Sequence, residues 1–263
     1  MDYQLNGLRA LVTGSSRGLG FATARLLAEE GAVVTLNGRN ETQLIQAAAE
    51  IEQASGRKPH IIVGNIAQKG QPEKVVQEAA QKMGGLDLLA TNAGGPPAGR
   101  FEDFDDEKWQ SAYDLCFMVH VRLIRAALPY LRQSKAASVL TFTSNSAKQP
   151  IPNLVLSNSL RSGVLGLTKS LALEYGSQGI RFNSILPSWM ETERVVELMK
   201  SNAQINHTTV EEELQKQAHE SPFGRMGSVD EFAHAAVFLL SPLASYITGV
   251  MLTVDGGMYK ATT

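Results

Sequence analysis

Cysteine is almost missing from this chain of 263 residues, where Cys116 stands alone. A single thiol allows no intrachain disulfide and no cysteine-built metal cluster. Net charge is small as well, −2 from 24 Lys and Arg against 26 Asp and Glu. That balance gives no electrostatic footing for nucleic acid or an anionic membrane surface. No apolar run nears the ~18 residues of a membrane span. The opening Met1-Asp2-Tyr3-Gln4 lacks the basic and apolar regions of a signal peptide. These absences predict a cytoplasmic protein with no nucleic-acid, membrane or metal partner. The acidic run Glu102–Glu107 reads as a solvated helix start rather than an ion site.

What the sequence does contain is an alternation of short apolar runs with helical patterns along almost its whole length. Strands are predicted at Leu8–Val12, Ala32–Asn37, His60–Val63, Leu86–Thr91, Ser138–Thr143, Ile180–Leu186 and Val250–Val254. Between them lie helical patterns, including the long ones at Asp106–Gln133 and Asn153–Tyr175. Ser228 and Glu231 form a capping box before Val229–Leu240. Such alternation predicts an α/β fold: a single doubly wound (Rossmann) domain over 1–263, with a seven-stranded parallel sheet and helices on both faces.

The chain is organised around Thr13–Gly20, Thr-Gly-Ser-Ser-Arg-Gly-Leu-Gly, which joins the first strand to the first helix. Gly14 can take backbone angles closed to other residues, while Gly18 and Gly20 allow close approach of a ligand and of the helix to the sheet. The helix N-terminus presents N–H groups and partial positive charge to a phosphate. Dinucleotide binding is therefore expected here. No acid follows the second strand, where Asn37-Gly38-Arg39 stands. Arg17 and Arg39 are expected to clamp a 2′-phosphate, which favours NADP(H) over NAD(H). Segment 188–222 follows a strand at the carboxyl edge of the sheet and is expected to form a substrate lid.

Several motifs in order resemble the short-chain dehydrogenase/reductase family, in its bacterial 3-oxoacyl-thioester reductase-like branch. Thr13–Gly20 is similar to the family's cofactor turn, and Thr91-Asn92-Ala93-Gly94 to its Asn-Asn-Ala-Gly motif. Pro187–Thr192 corresponds to a segment along the nicotinamide, and Pro222–Arg225 and Asp255–Gly257 to C-terminal signatures. The resemblance implies cofactor contacts at Gly14, Ser16, Arg17, Gly18, Leu19, Gly20, Arg39, Asn65, Ile66, Asn92, Ala93, Gly94, Arg161, Pro187 and Thr192. It also implies a homotetramer built on the two long helices, and a carbonyl substrate, small or carried as an acyl thioester.

The family's catalytic Asn, Ser, Tyr and Lys are mostly replaced. Aligned on the flanking motifs, Ser144 holds the serine position, but Cys116, Ser157 and Arg161 stand for Asn, Tyr and Lys. A serine hydroxyl is far less acidic than a phenol, and an arginine cannot relay protons. Three outcomes are compatible with this set. Ser144 orients a carbonyl, Arg161 holds the ribose, and Ser157 organises a proton-donating water. In the second, cofactor is bound by a catalytically impaired or sensing protein. In the third, different chemistry draws on an acid such as His207 or His219.

Overall fold

Seven runs of β-branched and aliphatic residues pair into one sheet because their side chains can be covered on both faces at once. The computed structural model describes residues 2–262. Its strands are β1 (Arg9–Val12), β2 (Val33–Gly38), β3 (His60–Val63), β4 (Leu88–Thr91), β5 (Ser138–Phe142), β6 (Arg181–Pro187) and β7 (Met251–Val254). They lie in the order β3-β2-β1-β4-β5-β6-β7, and all pairs are parallel. All residues of β4 and β5 are buried. The doubly wound sheet expected from the alternation is the fold observed.

Helices α1 (Gly18–Glu29), α2 (Glu41–Ser55) and α9 (Val229–Leu240) cover one face. Their Leu27, Leu44 and Phe232 join Val12, Leu36 and Phe142 of the sheet in one core. The other face receives α3 (Gln71–Met83), α5 (Val119–Leu131) and α6 (Val155–Tyr175), with Val76 and Leu123 packed on Leu11, Leu89 and Phe182. The capping box of α9 forms as expected: Ser228 Oγ accepts from the Glu231 N–H, and the Glu231 carboxylate accepts from the Ser228 N–H.

Two stretches depart from simple expectation. The first long helix is α4 (Asp106–Tyr113) and α5 joined by one wide turn, Asp114–Met118, with Cys116 in it. Such π turns shift the register of a helix face and recur at functional sites. The insertion after β6, weakly patterned in sequence, folds into α7 (Glu193–Asn206) and α8 (Val210–Glu220). Thr192 and Thr209 cap them through side-chain oxygens. The weak pattern has a physical reason, since α8 buries only Glu213 and α7 only Val195, Met199 and Ala203.

Candidate active site

Parallel strands place every β-to-helix connection on one edge of the sheet, and the strand order reverses direction between β1 and β4. That switch point leaves a crevice at the carboxyl ends. Thr13–Gly20 leaves β1 there, Asn92–Gly94 leaves β4, Ser144 follows β5, and Pro187–Thr192 leaves β6.

The glycine turn is held from the β4 side. Asn92 Nδ2 donates to the Gly14 carbonyl at 2.9 Å, and Thr13 Oγ1 bonds the Asn92 backbone in both directions, at 2.8 and 2.9 Å. Gly14 and Gly18 have φ of 56° and 61°, a region that costs other residues strain. A Cβ on Gly20 would lie 2.7 Å from Asn92 Nδ2 and closer still to the Gly14 carbonyl oxygen. Arg17, preceding α1, offers no side-chain cap, so the first-turn N–H groups remain available at the crevice.

The other expected cofactor residues surround this cradle. Ser16 lies against the backbone of Gly38, and Asn65 Oδ1 accepts from the Ala67 N–H at 3.2 Å beside buried Ile66. Leu19 packs against the core, Ala93 is half-buried, and Gly94 is exposed. Arg39 is exposed. Arg17 is not free: its guanidinium pairs with Glu193 and, at 3.8 Å, with Glu197 on α7. Thr192 comes within 3.8 Å of a Cβ placed on Gly18, and Arg194 donates to the Pro96 carbonyl at 3.0 Å. The start of α7 thus touches both the β1 and the β4 connections.

Around the substituted positions the structure gathers hydroxyls about a buried cation. Ser144 Oγ accepts from the Ser146 N–H at 3.1 Å. Ser157 and Ser146 share a hydrogen bond, Oγ to Oγ, of 3.0 Å. Arg161, one turn after Ser157 on α6, is 8% exposed. Its Nη1 donates to the Phe142 and Thr143 carbonyls at 3.4 and 3.3 Å, and Nη2 to the Gly94 carbonyl at 3.5 Å.

Two neighbours from the α4–α5 side feel that charge. Burial pushes the Cys116 thiol up, opposed by the Arg161 guanidinium, so it is no ready nucleophile. Burial, aided by Arg161, pushes His120 down to about 3. Its Nδ1 lies 2.7 Å from Thr91 Oγ1, and the ring is neutral near pH 7. His207 and His219 lie apart from this cluster in bonding: His207 closes α7, and His219 Nδ1 bonds the Gln215 carbonyl of its own helix.

Sequence reasoning missed Ser146, whose signal was present as a second hydroxyl two residues after Ser144. Nor does it single out Glu193, whose partner Arg17 is 176 residues away.

The match to known proteins covers this whole arrangement. A family model described as enoyl-(acyl carrier protein) reductase matches residues 14–259. A 3-oxoacyl-(acyl carrier protein) reductase of Chlamydia muridarum is 30% identical over 258 residues, 98% of this chain and 100% of that one. The chain belongs to the short-chain dehydrogenase/reductase family. Within it, the L-sorbose reductase of Gluconobacter frateurii, solved with NADPH and L-sorbose, superposes with a TM-score of 0.94 at 32% identity, covering 99% of this chain and 100% of that one. An NADPH-bound short-chain oxidoreductase of Pseudomonas aeruginosa PAO1, described as containing an atypical catalytic center, gives 0.87 at 31% identity, over 96% and 97% of the two chains. The family is one of oxidoreductases, and both of these neighbours were solved with NADPH.

Proposed function

We propose that this short-chain dehydrogenase/reductase is an NADP(H)-dependent enzyme that reduces a carbonyl with a reduced catalytic set. The observation that carries the reading is the cradle at the N-terminus of α1, where Gly14, Gly20 and Asn92 leave no room for a larger side chain. A cradle of this shape fits a pyrophosphate. Gly14, Ser16, Gly18, Leu19 and Gly20 would hold it, with Asn65 and Ile66 beside the adenine, Asn92, Ala93 and Gly94 behind the adenosine, and Pro187 and Thr192 along the nicotinamide. Arg17 and Arg39 are the groups for a 2′-phosphate, and the NADPH of the two neighbours supports that preference.

When bound, NADPH supplies the hydride. The chain's own task is to hold the carbonyl and deliver a proton. Ser144 donates its hydroxyl to the carbonyl oxygen. Arg161 holds the ribose next to the Gly94 carbonyl. Ser157, shorter than a tyrosine, leaves room for a water, and its bond to Ser146 gives that water a fixed partner. Helices α7 and α8, within 188–222, act as the lid. Exposed Tyr113 and Leu173, on α4 and α6, support a homotetramer built on the two long helical segments.

A second reading, a cofactor-binding or sensing protein without turnover, is favoured by the loss of any phenol at position 157. Fluorescence titration with NADPH and NADH tests the shared core. Micromolar NADPH binding, tighter than NADH, is the expected result; no binding of either removes both readings. Carbonyl-dependent oxidation of NADPH then separates the enzyme from the sensor.

A further inference from the structure

A buried cation needs a counter-charge, because desolvating it costs several kcal/mol that neutral hydrogen bonds only partly offset. Arg161 has none. It is only 8% exposed, and no carboxylate among the described residues pairs with it. Its three hydrogen bonds go to neutral carbonyls at 3.3 to 3.5 Å. They leave the Nε–H and one Nη2–H without a partner among the described residues. Nε and Nη2 lie on one edge of the guanidinium, the edge that recognises carboxylates.

The groups around it do not supply the missing charge. Cys116 is a thiol, His120 is neutral, and Ser146 and Ser157 are hydroxyls. A tyrosine at 157 could ionise beside a cation; a serine does not at neutral pH. The ribose hydroxyl proposed above would take the remaining Nη2–H yet carry no charge, which leaves the Nε–H for an anion. The Glu193 carboxylate is engaged with Arg17.

We infer that the anion is brought by the substrate, and that this site takes a short oxo acid whose carboxylate sits on the open edge of Arg161 while its carbonyl meets the serine hydroxyls. The inference rests on the carbonyl reduction proposed above and narrows its substrate class. The balance closes. NADPH gives a hydride to the carbonyl carbon and is oxidised to NADP⁺, the C=O π bond becomes C–O, and one proton from solvent reaches the oxygen through the Ser157–Ser146 hydroxyls. A hydroxy acid is the product.

The test uses pyruvate, acetoacetate and levulinate beside their methyl esters, which keep the carbonyl and remove the charge. Calorimetry on NADP⁺-saturated protein, which cannot reduce the acid, reads binding, and NADPH absorbance reads turnover. At least one acid should bind and turn over at least tenfold better than its ester. Arg161→Gln should erase that preference and Arg161→Lys restore part of it, in binding as in turnover. Equal or better use of the esters, or no binding of any of the three acids to NADP⁺-saturated protein, overturns the substrate class while leaving carbonyl reduction standing. Failure of NADPH itself to bind overturns the proposed function, and this class with it.

Discussion

Arg17, in the glycine turn expected to receive cofactor phosphate, is ion-paired with Glu193 at the first turn of α7. Both side chains are at least half exposed, so the pair is cheap to break. It nevertheless places a carboxylate where an anionic ligand is expected, and Glu197 adds a second at 3.8 Å. In the proposed complex, cofactor phosphate and the start of α7 would compete for one guanidinium.

Replacing Glu193→Gln should raise NADPH affinity by about threefold to fivefold, the scale of an exposed pair worth up to ~1 kcal/mol. The gain should shrink as salt is added, because exposed charges are screened. Fluorescence titration at low and high ionic strength reads both effects. An affinity that does not change at low salt would mean that Arg17 takes no part in phosphate binding.

Gly20→Ala should weaken NADPH binding at least tenfold. The added Cβ meets the Gly14 carbonyl oxygen, a backbone atom, and Asn92 Nδ2, which is held by its own hydrogen bond to that carbonyl. Overpacking of this kind costs about 1–3 kcal/mol. Titration together with a urea denaturation curve separates the loss of the cradle from general unfolding. Wild-type affinity in a folded variant would contradict the assigned cradle.

His120 should make the fold weaken in acid. Burial, with Arg161 adding to it, holds its folded value at about 3, below the ~6.5 of the unfolded chain. Between these values the unfolded state binds the extra proton, so stability falls as pH falls from about 6.5 and recovers as pH rises. From this residue alone the loss at pH 5 is about 2 kcal/mol, at 1.36 kcal/mol per unit. Urea midpoints at pH 7 and pH 5 measure it. His120→Asn, which cannot titrate there, should flatten the difference; an unchanged slope would assign the acid sensitivity elsewhere.

The candidate catalytic residues were legible in part for a reason visible at Ser144 and Ser157. Both follow motifs whose spacing is local, the end of β5 and one turn of α6, so counting along the chain finds them. Ser146 lies between them and bonds Ser157 across 11 residues, and only the fold of the turn 145–147 aims it there. Arg161 was legible as a position, but not as a cation without a counter-charge, because the absence of a carboxylate is a property of the whole neighbourhood.

By itself the sequence determined the alternating elements, the parallel sheet and the glycine turn. Each rests on short-range periodicity or on the backbone freedom of single residues such as Gly14. Tertiary structure alone decided that Arg17 meets Glu193, that Asn92 braces the glycine turn, and that Cys116, His120 and Arg161 share one buried space. These pairings join residues far apart in the chain, and the packing of α4–α7 against the sheet edge, rather than any local preference, brings them together.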